Sequence, residues 1–100
     1  MEKLTLKDSG TDSVINALNA WADFDSVAHV RMFRCKLKAK DGGEREILIE
    51  MHDAGGLVES KLRYECIAKT KLGQITGGKH SDLLKAIKRL MEKLNIPATQ

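Results

Sequence analysis

The fold is decided by residues 33–51, FRCKLKAKDGGEREILIEM, in which apolar and charged side chains alternate on both sides of a glycine turn. Successive side chains of a β-strand point to opposite faces of the sheet, so this alternation predicts two half-buried strands. The turn Asp41-Gly42-Gly43 supplies the residue types that a tight reversal needs. The stretch therefore predicts an antiparallel hairpin with one apolar and one charged face.

A three-residue loop at 41–43 places the apolar residues of both strands on the same face. The apolar pairs expected in this register are Leu37 with Ile47, Cys35 with Ile49 and Phe33 with Met51. The charged pairs expected on the other face are Lys40 with Glu44, Lys38 with Glu46 and Arg34 with Glu50. Because these bases would have acidic neighbours, the basic stripe of the first strand would present little positive field.

A third alternating run, residues 62–71, follows the loop 54–59 and predicts a third strand. Short connections favour pairing in chain order, with the second strand in the middle. Cys35 and Cys66 then face the apolar side from the two outer strands, two spacings of about 4.8 Å apart. That separation is beyond the reach of a disulfide, so both cysteines are expected to be free and buried.

Two segments carry apolar residues at the three- and four-residue spacings of a helix. The first predicts a helix over about residues 12–24 with Trp21 as its core anchor, and the second predicts a helix near residues 83–94, with Asp82 among its capping residues and Pro97 ending it. The elements predict an α+β fold, a two-layer α-β-β-β-α domain over residues 1–100. Its three-stranded antiparallel meander sheet would be covered on one face by both helices.

The composition, 42% apolar and 31% charged in 100 residues, indicates a globular chain. No apolar run approaches the roughly 20 residues that a membrane-spanning helix needs. Residues 1–6 also lack the apolar stretch of a secretory signal. We therefore expect a cytoplasmic protein with no membrane partner.

Residues 73–80, GQITGGKH, match the spacing of a phosphate-binding loop through Lys79. His80 stands where that motif has the hydroxyl residue that binds magnesium, and the expected antiparallel sheet differs from the parallel sheet of nucleotide-binding folds. The three histidines, His29, His52 and His80, do not have the spacing of metal ligands. The sequence therefore predicts no enzyme, with no catalytic residue, no cofactor and no metal site.

Charge is distributed unevenly along the chain. Residues 1–30 carry two bases and five acids, whereas residues 61–100 carry nine bases and three acids, a balance of +6. Such a segment can attract phosphates, and a helix N-terminus adds to that attraction. The leading hypothesis is thus a small binding module that contacts the backbone of RNA or DNA without reading bases. Its expected phosphate-binding residues are Gly78, Lys79, Lys85, Lys88 and Arg89.

Residues 64–90 hold an alternating strand followed by Gly73, Gly77, Ser81 and the pair Lys85-Ala86. This succession, about a quarter of the chain, resembles the double-stranded-RNA-binding domain in its strand end, glycine-bearing turn, serine-capped helix and helix core. The resemblance implies the α-β-β-β-α order and phosphate contacts near the start of the last helix. Asp82 and Leu83 stand where the family has a lysine pair, which leaves only Lys79, Lys85 and Lys88 nearby.

The alternative hypothesis is a protein-interaction or homo-oligomerising domain. Three apolar residues, Met32, Leu48 and Ile67, fall on the otherwise charged face, which the two helices would leave uncovered. Leu48 and Ile67 would form a small apolar island there, and Met32 would lie opposite His52. An apolar patch on an uncovered sheet face is a typical contact for a partner or a second copy. The expected interface residues are Met32, Leu48, His52 and Ile67.

Overall fold

A computed structural model describes residues 10–38 and 41–98. Its elements, in chain order, are helix α1 (Thr11–Trp21), strands β1 (His29–Lys38) and β2 (Glu44–Asp53), a short 3₁₀ turn (Ser60–Leu62), strands β3 (Tyr64–Thr70) and β4 (Gly73–His80), and helix α2 (Leu83–Lys93). The fold is α+β with an antiparallel sheet and two helices, as the sequence predicts. In the described residues the sheet has four strands in the order β1-β2-β3-β4, so the prediction of three strands is wrong.

The additional strand is β4, where the sequence predicts no strand and the resemblance implies a glycine-bearing turn before the last helix. Its glycines give it low strand propensity, and Ile75 is its only large apolar residue, so no alternating pattern marks it. Hydrogen bonding to β3 stabilises this strand despite its low strand propensity. The ladder between the two strands has a shift in register between Glu65 and Ile67. The turn that enters β4 is closed by Thr70, whose hydroxyl accepts from the Leu72 N–H and donates to the Gly73 carbonyl.

The hairpin of β1 and β2 is displaced by two residues from the predicted register. Cys35 lies opposite Ile47 and Phe33 opposite Ile49, so the predicted partners of Cys35 and Phe33 are wrong. A shift of two residues preserves the pleat, which is why the apolar residues still share one face. The last described pair is Lys38 with Glu44, whereas Lys40 lies outside the described residues.

The charged pairs of the hairpin change with the register. Glu46 lies opposite Lys36 rather than Lys38, and Glu50 lies opposite Met32 rather than Arg34. The turn is held differently from a minimal three-residue loop. The Asp41 carboxylate accepts from the Gly43 N–H at 2.9 Å, and Gly42 has a φ of +86°, which favours glycine.

Helix α2 covers the sheet face that carries the core, and it packs chiefly on β3 and β4. Gly77 permits the close approach, because a Cβ atom there would lie only 2.8 Å from the backbone nitrogen of Leu90. Asp82 caps the helix by accepting from the Leu84 N–H at 3.1 Å, as predicted. The core cluster consists of Ile47, Ile49, Cys66, Ala68, Ala86, Leu90 and Leu94.

Helix α1 does not cover the sheet, which corrects the prediction of two covering helices. Of its residues only Ile15 is buried, and Trp21, predicted as the core anchor, is 67% exposed. Trp21 is the last residue of the helix, about two turns beyond Asp12, which contacts the loop after β2. Its first turns pack instead on the loop after β2, where Asp12 accepts from the Gly56 N–H at 2.9 Å. Helical spacing identified an apolar side of α1 but not the part of the fold that this side meets.

Both cysteines are free, as predicted. Cys66 is fully buried on β3, and this burial raises the pKa of its thiol. Cys35 is half-buried on β1, so only Cys66 is the buried apolar filler that the sequence predicts for both.

Candidate functional site

The inner face of the sheet, which carries α2, is open along β1. Here Phe33 is 43% exposed and Leu37 37% exposed, with the half-buried Cys35 between them. We call these three residues the open strip. Because β1 is an edge strand of the sheet formed by residues 10–38 and 41–98, the strip borders a row of backbone groups that no other strand in these ranges pairs. In the described part of the chain, an apolar surface therefore lies next to backbone hydrogen-bonding groups that have no strand partner.

A groove of about 240 Å³ lies between α1 and the start of β1. Its lining is mostly apolar, with Val14, Ile15 and Leu18 from α1 and Val27 and Val30 from the other side. At one end the Thr11 hydroxyl lies 2.7 Å from His29 Nδ1. The groove can hold an apolar side chain, since it offers few polar partners to anything larger.

Strand β1 carries four bases and no acid. Arg34 reaches Glu46 diagonally across the hairpin, at 3.2 Å between Arg34 Nε and Glu46 Oε1. Both side chains are more than half exposed, so the pair contributes little to stability. Lys36 and Lys38 lie opposite Glu46 and Glu44 on the outer face, the side away from α2. Strand β2 thus supplies acids on one flank of β1, whereas no strand of the described residues supplies acids on the edge flank.

The residues predicted as an apolar interface lie on the outer face, but three of the four are half-buried. Only Met32 is largely exposed, at 57%, and Val30 rather than Met32 lies opposite His52. Leu48 lies opposite Lys69 and Ile67 lies opposite Glu50, so Leu48 and Ile67 are diagonal neighbours.

A polar network occupies the same part of the outer face. Lys69 Nζ is 3.0 Å from Glu50 Oε2, along the diagonal that crosses the line from Leu48 to Ile67. His52 Nε2 is 3.1 Å from Glu50 Oε1. The hydrogen bonds from Lys69 and His52 lower the pKa of Glu50. The predicted island is therefore bridged by an ion pair and offers little continuous apolar surface.

The residues predicted to bind phosphate are divided between two faces of the sheet. Lys79 lies opposite Glu65 on the outer face, whereas Lys85, Lys88 and Arg89 lie on α2, which covers the inner face. The N–H of Gly78 donates to the Thr76 hydroxyl at 3.0 Å and is not available to an anion in this arrangement. The structure brings together the three bases of α2 but does not bring Lys79 to them.

The solvent side of α2 is a basic ridge formed by Lys85, Lys88 and Arg89, whose three- and four-residue spacings place them on one face of the helix. Arg89 is paired with Glu92 at 3.2 Å. Within the part of the chain that the structure describes, no carboxylate lies within 4.0 Å of the amino group of Lys85 or Lys88. Two cations of the ridge are therefore free to meet an anion.

Sequence reasoning missed a cluster around Arg63 at the end of the sheet beside α1. Arg63 Nε donates to Asp53 Oδ1 at 2.8 Å, and a second guanidinium nitrogen lies 3.8 Å from Asp12. Burial by itself would raise the pKa of Asp53, but the hydrogen bonds from Arg63 and from the Gly55 N–H outweigh it and lower that pKa. An ion pair of this kind holds a loop in place and leaves no free acid or base for catalysis.

No group of three or more His, Cys, Asp or Glu side chains in residues 10–38 and 41–98 is arranged to hold a metal ion. None of the helices in these ranges has the length and apolar character needed to cross a membrane. Comparisons of the chain with family models, with curated proteins and with solved structures found no match.

Proposed function

We propose that this protein is a non-catalytic protein-binding module whose edge strand β1 pairs with an extended segment of another protein. The observation that carries the proposal is the open strip, an apolar row on an edge strand that α2 leaves uncovered. Addition of a strand to a sheet edge is a recurrent mode of peptide recognition, in which backbone hydrogen bonds supply affinity and side-chain pockets supply specificity. The other edge, β4, lies beneath α2 and has no comparable apolar row.

The free energies involved favour a bound segment that pairs with the backbone of β1 over a segment that contacts only the open strip. Burying the exposed parts of Phe33 and Leu37 would contribute about 1–2 kcal/mol. Association costs at least about 4 kcal/mol in lost translational and rotational freedom. Backbone pairing along β1 and an apolar side chain in the groove beside α1 are the further contributions that this end of the molecule offers.

The experiment is a selection of binders from a library of random linear peptides, followed by mapping on isotope-labelled protein. We expect the selected peptides to shift the amide resonances of β1 most strongly. The variant Phe33→Asp should abolish their binding, because it places a charge in the open strip. Leu72→Asp is the matched control, since this fully exposed residue lies at the turn between β3 and β4.

Circular dichroism of both variants checks that the fold is retained. Binders that map to the outer face around Leu48, or that bind Phe33→Asp as tightly as the native chain, would show that the proposed surface is wrong.

A second candidate function is electrostatic binding of a nucleic-acid backbone by the basic ridge of α2. The free cations of Lys85 and Lys88 favour it, and the resemblance to the double-stranded-RNA-binding domain motivates RNA as a ligand to test. Such binding would be sensitive to salt and weakly dependent on sequence.

Polarisation titrations with duplex RNA, duplex DNA and single strands at low salt test this second candidate. The double variant Lys85→Glu with Lys88→Glu should lose binding, whereas Lys79→Glu, on the outer face, should keep most of it. If all three nucleic acids fail to bind at tens of micromolar protein, the second candidate is wrong.

A further inference from the structure

We infer that the segment bound by β1 alternates acidic and apolar side chains, a specificity that the charges of β1 impose. The inference rests on the proposed function and adds the chemical class of the partner to it. The observation behind it is that β1 alternates its residue types from Phe33 to Lys38, with the bases Arg34, Lys36 and Lys38 on the outer face and the open strip on the inner face. The fourth base, Arg31, precedes this stretch and lies on the inner face opposite Met51.

Directly opposed residues of neighbouring strands share a face of the sheet. Side chains of an incoming strand that lie opposite the open strip would therefore meet Phe33 and Leu37. Their neighbours in the incoming strand would lie opposite the outer-face bases Arg34, Lys36 and Lys38. Opposite charges across a ladder are favourable and like charges are unfavourable, so those positions select Asp or Glu.

The acidic residues of β2 do not occupy all the hydrogen-bond donors of the outer-face bases of β1. Glu46 lies opposite Lys36 and also pairs with Arg34, so one carboxylate serves two cations on that flank. The Arg34 guanidinium has five N–H donors in all and remains largely exposed. An acidic side chain on the edge flank would therefore meet donors that are free.

The same charges argue against the two other occupants that the chain itself could provide. Two copies joined through β1 would place the outer-face bases of one opposite those of the other. Residues 1–9, MEKLTLKDS, lie outside the described residues and hold two bases and two acids. The positions that alternate with Leu4 and Leu6 hold Lys3 and Lys7, whereas the acids share the parity of the leucines, so this alternation is basic rather than acidic. Charge complementarity thus points to a separate acidic partner.

The experiment uses three short synthetic peptides with capped ends. One alternates Glu and Val, the second alternates Lys and Val, and the third has the composition of the first with its Glu and Val residues in separate blocks. Affinity is measured by fluorescence polarisation at low and high salt, and the binding surface by amide shifts. We expect the alternating acidic peptide to bind β1 about tenfold more tightly than either of the others, with a smaller advantage at high salt.

A charge-reversal variant tests whether the bases of β1 cause the preference for an acidic peptide. Lys36→Glu with Lys38→Glu should bind the alternating basic peptide better than the acidic one. The matched control, Lys88→Glu with Lys93→Glu, changes the net charge equally on α2 and should keep the native preference. Thermal melting of both variants checks that each remains folded.

The outcomes separate the inference from the proposed function. Equal binding of the acidic and basic peptides at β1 would overturn the acidic preference and leave the proposed function standing. If no alternating peptide shifts the β1 amides, whereas selected library peptides do, only the inference is lost. If neither set binds β1, the proposed function is lost as well. A native chain that forms dimers through Phe33 at low salt would make a second copy the occupant and overturn the inference.

Discussion

Arg63 connects three parts of the fold that are separated in the sequence. Its guanidinium hydrogen-bonds Asp53 at the end of β2, lies 3.8 Å from Asp12 in α1 and stacks 4.8 Å above the Tyr64 ring. Asp53 also accepts from the Gly55 N–H at 2.9 Å, which fixes the start of the loop. The Arg63 side chain therefore helps to position α1 relative to the sheet, together with the Asp12–Gly56 hydrogen bond and the buried Ile15.

We expect Asp53→Asn to lower the free energy of unfolding by about 1 kcal/mol at neutral pH, because it weakens a charge-assisted hydrogen bond in a partly exposed site. The fold lowers the pKa of Asp53 below its ordinary 3.8. The stabilisation is therefore complete above that value and is lost as the pH falls through the lowered pKa. Urea unfolding at several pH values measures this, with the exposed Asp23→Asn as the control. A difference between native and variant that does not shrink with falling pH would contradict the assignment.

Gly77 is a second residue on which the packing depends. Ala at this position would place its Cβ 2.8 Å from the Leu90 nitrogen and 3.0 Å from backbone and side-chain atoms of Arg89. We expect Gly77→Ala to destabilise the fold by about 1–3 kcal/mol, since the helix would have to move away from β4. Gly43→Ala, where the new methyl group meets only the Asp41 side chain, is the control. Thermal unfolding that gives equal stability for the two variants would show that α2 approaches β4 less closely.

At the scale of elements, α1 is attached through its first two turns only. We expect Ile15→Ala to cost about 2–4 kcal/mol because this side chain is 4% exposed, whereas Trp21→Ala should cost less than about 0.5 kcal/mol. Chemical denaturation of both variants measures the contrast. A large loss of stability for Trp21→Ala would show that the indole is part of the core, as the sequence predicts.

Alternation along the chain predicted β1, β2 and β3 and the face on which each residue lies, because the pleat repeats every two residues. It did not predict β4, since Gly73, Gly77 and Gly78 replace the side chains that would mark a strand, and pairing with β3 decides its conformation. The hairpin register was wrong by two residues because the alternation is equally satisfied by either loop length. Helical spacing located α2 closely, yet the same reasoning could not tell what α1 packs against.

The candidate surface was less predictable than the elements. The sequence separated Met32, Leu48 and Ile67 from the core face, but the ion pair of Glu50 and Lys69 that spans the last two depends on a cross-strand diagonal. The open strip was assigned to the interior, because the alternation places Phe33 and Leu37 inward. Only the position of α1 at the end of the sheet shows that nothing covers them among the described residues.

For the whole molecule, the charge on β1 also governs self-association. We expect a monomer in about 0.1 M salt, where the Debye length is about 10 Å and the bases of two β1 strands repel each other. In roughly 1 M salt the Debye length falls to about 3 Å, and weak dimers should form through the open strip. Sedimentation equilibrium measures this, with Phe33→Asp expected to stay monomeric in both conditions. Dimers that form at low salt and dissociate at high salt would show that attraction, not repulsion, acts at this interface.

The molecule is extended, with a Cα radius of gyration of 16.5 Å, where a compact chain of this length has about 13 Å. Its interior is correspondingly small, since α2 is the one helix of the described residues that covers the sheet. A segment bound along β1 would raise the stability of the folded state by mass action, because it binds the folded chain and not the unfolded one. Copies without a partner would unfold more often and would be the first that cellular proteases remove. The abundance of this protein would then follow the abundance of its partner.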